Sequence, residues 1–508
     1  MALNALAYSS AQIRAAEAPL LAAQTEADEL MRSAALGISL VARDMLPHTG
    51  SVLILAGPGG NGGDGLYAGA ELARQGYRVD ALLYADRAQE RAVAAFTDAG
   101  GQVVDKPAKN YTLIIDAIFG LGGRTDIEAL DLPSAAAVLA VDVPSGVAAD
   151  TGRAGENALV ADVTATIGGL RYAHGLYAGC GDVVVIDAHS GGHSLSAQLA
   201  EDTSEPRVSI AHARRRTEYS FGDHAYVVGT QPPLVSEPTP QADKYSGGVV
   251  GIAAGSTTYP GAAVLCATGA VRATSSMVRY AGPQAREVVR ALPEVVATES
   301  IDAAGRVQAW VYGPGSGTTE PADLRALLRT DLPVVIDADG LTLLSEHTSL
   351  RELVRSRRAA TILTPHAGEF ARLASACGLP SAKDNPLDAV SQLARELDCA
   401  VLLKGRASVI ATPRSTVVVD AGSSWAATPG SGDVLSGILG AFIALRVAHA
   451  ELANVPASWT YDAIPESVCV HAVAAYLSAC TPWGEAPTSA SRIAESVPAA
   501  IAYLSRRD

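Results

Sequence analysis

Short apolar runs recur along the chain, each followed by a glycine-rich or polar loop and then by apolar positions at helical spacing. Residues 9–46 set Leu20, Leu21, Leu30, Met31 and Ile38 among polar neighbours, which predicts helix. SVLILAG (51–57) follows, the continuous apolar run of a strand buried on both faces. A helix is predicted at 65–76, a strand at 78–84 and a helix near 88–98, then strands at 111–115, 137–141 and 182–186. The pattern weakens over 188–245, where HSGGHS, RRRTEYS and PPLVSEPTPQ are polar, basic or proline-rich; a domain boundary is expected near 200–215. Alternation then restarts. Strands are predicted at 248–254, 308–312, 333–336, 360–363 and 400–403, and helices at 261–276, 339–346, 367–376, 387–397, 433–446 and 467–479. Strands alternating with helices imply parallel sheets flanked by helices. The fold class is therefore α/β with two domains, 1–210 and 211–508.

The 508 residues exceed one ordinary core, which agrees with two domains. Hydrophobic residues at 48% and charged residues at 18% give a globular balance. Aromatics at 5% argue against a base-stacking platform, and a net charge of −15 repels phosphate backbones and anionic lipid. A phosphate-bearing ligand must then be held locally, by main-chain N–H groups and a few basic side chains. The six cysteines (Cys180, Cys266, Cys377, Cys399, Cys469 and Cys480) have no metal-like spacing and read as buried thiols of a reducing compartment. No basic leader precedes an apolar core, and no run approaches about 20 apolar residues. The expectation is a cytoplasmic protein that binds neither nucleic acid nor membrane.

Two groups of motifs carry chemistry. In the first, GPGGNGGDG (57–65) joins an apolar strand to a helix. Its glycines let the backbone approach a ligand, and the helix N-terminus offers free N–H groups. It lacks the lysine of a P-loop. DAIFGLGGR (116–124) and VDVPSG (141–146) also follow apolar strands. Asp64, Asp116 and Asp142 are thus expected at the carboxyl ends of parallel strands, where open α/β sheets bind ligands. Asn61, Asp116 and Ser145 are hard oxygen donors able to hold a cation. Each aspartate taken singly is equally a helix cap or turn residue; the three together favour a site.

In the second group, TPGSGD (428–433) runs straight into an apolar helix. The N–H groups of Ser431, Gly432 and Asp433 are expected to converge on one anion-binding spot, reinforced by the helix dipole. Asp433 is the candidate acid/base beside it. VYGPGSG (311–317), VIDADGLTLL (335–344), LTPHAGEF (363–370) and LLKGRAS (402–408) each end an apolar strand. Lys404 would reach a phosphate, although Lys404 and His366 taken singly also read as solvated surface side chains.

The first three motifs, in this order, resemble the N-terminal domain of the bifunctional NAD(P)H-hydrate repair family over roughly residues 10–190. KYSGG, YPGAA, GPGSG, DADGL, TPHAGE, KGRAS and GSGD resemble its ADP-dependent dehydratase domain over roughly 240–505. The resemblance implies an N-terminal Rossmann-like α/β/α sandwich and a C-terminal ribokinase-like α/β/α domain. It implies an epimerase that interconverts the R and S forms of NADHX and NADPHX. It also implies a dehydratase that returns the S form to NAD(P)H at the expense of ADP, giving AMP and phosphate. In the epimerase it implies substrate contacts at Gly60, Asn61, Gly62, Gly63, Asp64, Gly120, Leu121, Gly122, Gly123, Arg124, Thr125, Asp126 and Asp142, with K+ at Asn61, Asp116 and Ser145. In the dehydratase it implies Ala263, Gly315, His366 and Asp433 on the hydrated cofactor and Lys404, Gly405, Arg406, Ala407, Ser408 and Gly432 on ADP. Mg2+ would neutralise the phosphates. Asp142 is the candidate proton carrier of the epimerase, and a homo-oligomer is expected. Three positions depart from the family pattern: Gly60, where asparagine is common, Pro429, which stiffens the approach to the GSGD turn, and Ser431, which keeps the hydroxyl of the usual threonine. The residues alone also admit a small-molecule kinase whose product stays phosphorylated, or a non-catalytic nucleotide sensor. The clustered Asp, Lys and His argue against a sensor.

Overall fold

The computed structural model describes residues 5–202, 204, 207–214, 219, 226–227, 233, 237–319, 321–454 and 460–506. Most of RRRTEYS and part of PPLVSEPTPQ lie outside them. The chain divides into two compact units. The main body of the first runs up to Ala211; the second holds His212–Arg214 and the chain from 230 onward.

In the first unit the described strands of the main sheet run in the order Tyr226–Val227, Asp182–Ile186, Val163–Ile167, Ala137–Val141, Leu113–Ala117, Ser51–Ala56, Arg78–Leu83 and Gln102–Val103. Tyr226–Val227 pairs antiparallel and the others pair parallel. The Ser51–Ala56 strand shows why a two-sided strand reads as an unbroken apolar run. Val52, Ile54 and Ala56 join one core with Ile38, Val41 and Leu66, while Leu53 and Leu55 join another with Tyr111, Ile114 and Ile118. Each such buried Leu, Ile or Val contributes about 1.5–3 kcal/mol over exposure.

The helix expected over 9–46 is two helices, Ser10–Ala22 and Glu29–Met45. Ser9 and Gln12 form a reciprocal cap on the first. Asp28, at φ 58°, redirects the chain into the second. The helix expected at 65–76 begins earlier, as Gly60–Arg74, so Gly60 to Asp64 form its first turn rather than a loop before it. The close approach requires glycine: a Cβ on Gly62 would lie 1.9 Å from the Gly57 carbonyl oxygen.

In the second unit the sheet runs Val296–Thr298, Val278–Ala281, Val250–Ala253, Ala309–Tyr312, Val334–Ile336, Thr361–Leu363, Ala400–Leu403, Ala407–Ala411 and Ser415–Asp420. All pairings are parallel up to Ala400–Leu403, and the last two strands follow as an antiparallel meander. The Ser431–Ala453 helix packs against Pro260–Ala273 at backbone contact: a Cβ on Gly437 would lie 2.0 Å from the Cys266 carbonyl oxygen. That helix is the only one among the described residues long and apolar enough to cross a membrane, yet 83% of its apolar window is buried in the unit. Its apolar length is the cost of running through a core.

Candidate active sites

In the first unit the carboxyl ends of the central strands bring three predicted segments together. Asp142 directly follows the Ala137–Val141 strand. A Cβ on Gly120 would lie 2.8 Å from Asp142 Oδ2 and 2.9 Å from Asn61 Oδ1, so the GLGG loop, the helix turn and the strand end meet at one glycine. Asp142 Oδ1 lies 2.8 Å from an Arg171 guanidinium nitrogen, and both side chains are almost fully buried. Asp64 sits on the helix turn, not at a strand end. Burial, and then the charges of Asp142 and Glu17, push its carboxyl well above the usual range. Glu17 is raised as well, chiefly by burial, with Arg171 opposing.

Asp116 and Ser145 are in direct contact. The Ser145 hydroxyl and N–H donate to the two Asp116 carboxylate oxygens at 2.6 and 2.7 Å. Burial pushes Asp116 up to about 6 in spite of these donors, and among the described residues no basic side chain offsets it. Asn61 Nδ2 is buried without a hydrogen-bond partner among the described residues. Of the other predicted contacts, the Leu121 carbonyl accepts from Arg14, and a Cβ on Gly63 would collide with Met31. Arg124 and Asp126 are exposed, and their side chains make no hydrogen bond or ion pair among the described residues.

In the second unit the site forms around Asp337, which sequence reasoning quoted within DADGL but did not single out. Asp337 is buried at the end of the Val334–Ile336 strand. It accepts from Lys404 Nζ at 2.6 Å, from Ser436 Oγ at 2.7 Å and from the Ala338 N–H at 2.9 Å. A Cβ on Gly432 would lie 3.2 Å from Lys404 Nζ, so the ammonium stands over the first turn of the Ser431–Ala453 helix. The expectation that three N–H groups converge there needs correction. Ser431 N–H donates to the Thr428 carbonyl, which leaves those of Gly432 and Asp433. Burial, then Asp337, Asp339 and Glu369, push Asp433 up to about 7 against the pull of Lys404. The Ser431 hydroxyl pairs with His471, which burial holds neutral with its pKa lowered to about 4.

A cavity of about 530 Å³ adjoins this turn, bordered by Lys404, Gly405, Arg406, Ser408, Ser431 and Gly432, with His366 and His471 also on its wall. Ala407 begins a strand and does not border it. Asp420 Oδ1 holds Arg406 at 3.2 Å. His366 caps the Ala367–Ala376 helix: its Nδ1 accepts from Gly368, and its Nε2 lies 3.4 Å from Glu369. Ala263 is fully buried, its methyl against Gly255. Gly315 needs its positive φ of 62° and packs against Tyr259 and Ala262, which sets the GPGSG loop beside the start of the Pro260–Ala273 helix. The Gly317 N–H donates to Asp339, tying that loop to DADGL.

The residues missed were Arg171, His174, Glu17, Asp337 and Glu369. Only the acidic strand end at Asp337 carried a signal that could have exposed one of them.

Comparison with known proteins agrees in both units. The family described as YjeF-related protein N-terminus matches residues 27–173, and the NAD(P)H-hydrate dehydratase family matches residues 250–483. The bifunctional NAD(P)H-hydrate repair enzyme Nnr of Corynebacterium glutamicum is 44% identical over 98% of both chains. That of Mycobacterium tuberculosis is also 44% identical, over 98% of this chain and 99% of its own. A solved ADP/ATP-dependent NAD(P)H-hydrate dehydratase from Bacillus subtilis, co-crystallised with ATP and Mg2+, is 24% identical, with a TM-score of 0.45, over 53% of this chain and 94% of its own. The chain belongs to the family of bifunctional NAD(P)H-hydrate repair enzymes.

Proposed function

We propose that residues 1–210 epimerise hydrated NADH and NADPH and that residues 211–508 dehydrate the S epimer with ADP as co-substrate. The observation that carries the dehydratase reading is the convergence of Asp433, Lys404 and the Gly432 N–H beside a nucleotide-sized cavity. Asp433 accepts the proton of the ring hydroxyl as that oxygen attacks the β-phosphorus of ADP. The bond to the bridging oxygen breaks and AMP leaves. The ring nitrogen lone pair then expels phosphate, a proton leaves the adjacent ring carbon, and NAD(P)H is restored. Lys404 and the Gly432 N–H meet the charge on the transferring group. Among the described residues no three His, Cys, Asp or Glu side chains cluster as a metal cage. Mg2+ would therefore arrive with the nucleotide phosphates it neutralises.

In the epimerase, Asp142 takes the hydroxyl proton as the carbon–nitrogen bond at the same ring carbon breaks, its electron pair going to nitrogen, and passes that proton on to the nitrogen. Reclosure from the other face reverses the transfer and gives the other epimer. K+ fits the first unit: Asp116 is a buried carboxyl with no basic partner among the described residues, and Ser145 and Asn61 oxygens are further donors. The ion would supply counter-charge and order the pocket. None of the six cysteines, all among the described residues, is in a disulfide, which supports action in the reducing cytoplasm.

The test is to follow a mixed NADHX pool with the protein and ADP, ATP or neither. Full return of reduced nicotinamide with AMP and phosphate release is expected with ADP. A stable phosphorylated product without that return would replace this reading with a kinase.

A further inference from the structure

Asp142 occupies a backbone position that a non-glycine residue rarely takes. Its φ is 66°, and the Val143 N–H reaches back to the Val141 carbonyl at 2.9 Å. This makes Asp142 the centre of a three-residue turn in its rarer, strained form. Something must hold it there, and two buried side chains do. Arg171, with 1% of its surface exposed, bonds Asp142 Oδ1 at 2.8 Å. The Gly169 and Ile167 carbonyls fix the guanidinium in turn, at 2.9 and 3.3 Å. The Arg171 N–H donates to His174 Nδ1 at 3.0 Å, and His174 Nε2 meets the Asp142 carbonyl at 2.7 Å.

These partners settle the tautomer. A main-chain N–H only donates and a carbonyl only accepts, so the ring is neutral with its proton on Nε2. Burial, followed by the Arg171 charge, lowers the His174 pKa to about 3, so this state holds throughout the neutral range. The result is a closed loop, Asp142 carboxylate to Arg171, Arg171 main chain to His174, and His174 to the Asp142 carbonyl. Thr166 adds a weak bond to Oδ1 at 3.4 Å. Oδ2 takes no hydrogen bond from the described residues and faces Gly120 and Asn61.

We infer that Arg171 and His174 are positioning residues of the epimerase centre: they anchor Oδ1 and the carbonyl of Asp142 so that only Oδ2 is offered to the hydrated ring. This rests on Asp142 being the proton carrier. The approach of Oδ2 to the substrate hydroxyl is then set by two side chains that touch no substrate. A displacement of roughly 1 Å at such a centre costs about 10²-fold in rate.

The full-length protein supplies its own control, because pure S epimer with ADP reports the dehydratase alone. R epimer consumption is measured for Asp142→Asn, His174→Leu, His174→Gln and Arg171→Met. Asp142→Asn should fall to the spontaneous rate; full activity there removes the proton-carrier reading itself. With Asp142→Asn inactive, His174→Leu and Arg171→Met should lose about ten- to a hundredfold in kcat with KM nearly unchanged. His174→Gln, whose amide can still donate to the Asp142 carbonyl, should recover most of that loss. Wild-type kcat in His174→Leu overturns the positioning role. So does an equal loss in the Gln and Leu variants with KM moved alongside kcat, which would make His174 a residue of the fold only.

Discussion

In the first unit Asp142 lies 2.8 Å from a buried guanidinium that the Gly169 and Ile167 carbonyls hold in place. In the second, Asp433 faces Asp337, Asp339 and Glu369, and the ammonium of Lys404, the one nearby among the described residues, is already bonded to Asp337. Both carboxylates follow a parallel sheet or its helix turn, and both are read as proton carriers. Their charges are handled in opposite ways. Asp142 has its counter-ion and a strained backbone that fixes its direction. Asp433 has an unstrained helical position and surroundings that oppose its ionisation. A helix N-terminus favours a carboxylate by roughly 0.3–1 kcal/mol; here burial and three acidic neighbours win, and the group rises to about 7. Positioning is thus the main problem of the first site and protonation that of the second.

The sharpest way to break this contrast is Asp433→Asn. It should cost dehydration of pure S epimer about 10²–10⁴-fold and leave R-to-S epimerisation intact. A variant that keeps dehydrating would show that Asp433 carries no proton. A smaller effect tests why Asp433 titrates where it does. It must be ionised to accept a proton, so dehydratase kcat/KM should rise through pH 7. Cys266 and His471 also lie close, but both are neutral there, one raised and one lowered by burial. Asp337→Asn removes an opposing charge and frees Lys404, so the acid limb should move to lower pH. Lys404→Met removes a favourable charge and should move it to higher pH. Shifts on the order of one unit, opposite in sign, are expected. Two losses of activity without any movement of the limb would make both residues scaffolding.

The parts legible in the sequence are those where local chemistry and global fold coincide. Within SVLILAG, YTLII and PVVI the stretches 52–56, 113–115 and 334–336 read as strands because burial on both faces leaves no polar positions there, and the motif glycines mark real backbone contacts, as at Gly62 and Gly437. Val163–Ile167 escaped because Thr164 and Thr166 interrupt the run, although both are fully buried. Asp337 escaped as a site residue because its partners are remote: Lys404 is 67 positions on and Ser436 is 99. Arg171 and His174 lie in a stretch of very short elements with no period to reveal them, and only three-dimensional closure ties them to Asp142. Position relative to a strand end is local information; the partner that fixes or perturbs a charge is not.

The mildest test of the contrast concerns the other buried acid of the first unit. Among the described residues no guanidinium bonds Asp116, which burial raises to about 6, so by the logic that pairs Asp142 with Arg171 the proposed K+ would be its counter-charge. Ser145 links the donors: its hydroxyl gives to Asp116 Oδ1 and accepts from the Phe119 N–H at 3.1 Å. Ser145→Ala should leave the maximal epimerase rate within a few-fold, because Asp142 and its clasp are untouched. The K+ concentration for half-maximal rate should rise about tenfold, the scale of one hydrogen bond to a charged group. Titrating K+ against a background of a larger organic cation measures this directly, and dehydration of pure S epimer should not respond to the substitution. If the epimerase of the unaltered protein is indifferent to K+, Asp116 is a buried acid that stays protonated, and the first unit holds one charged carboxylate fewer than proposed.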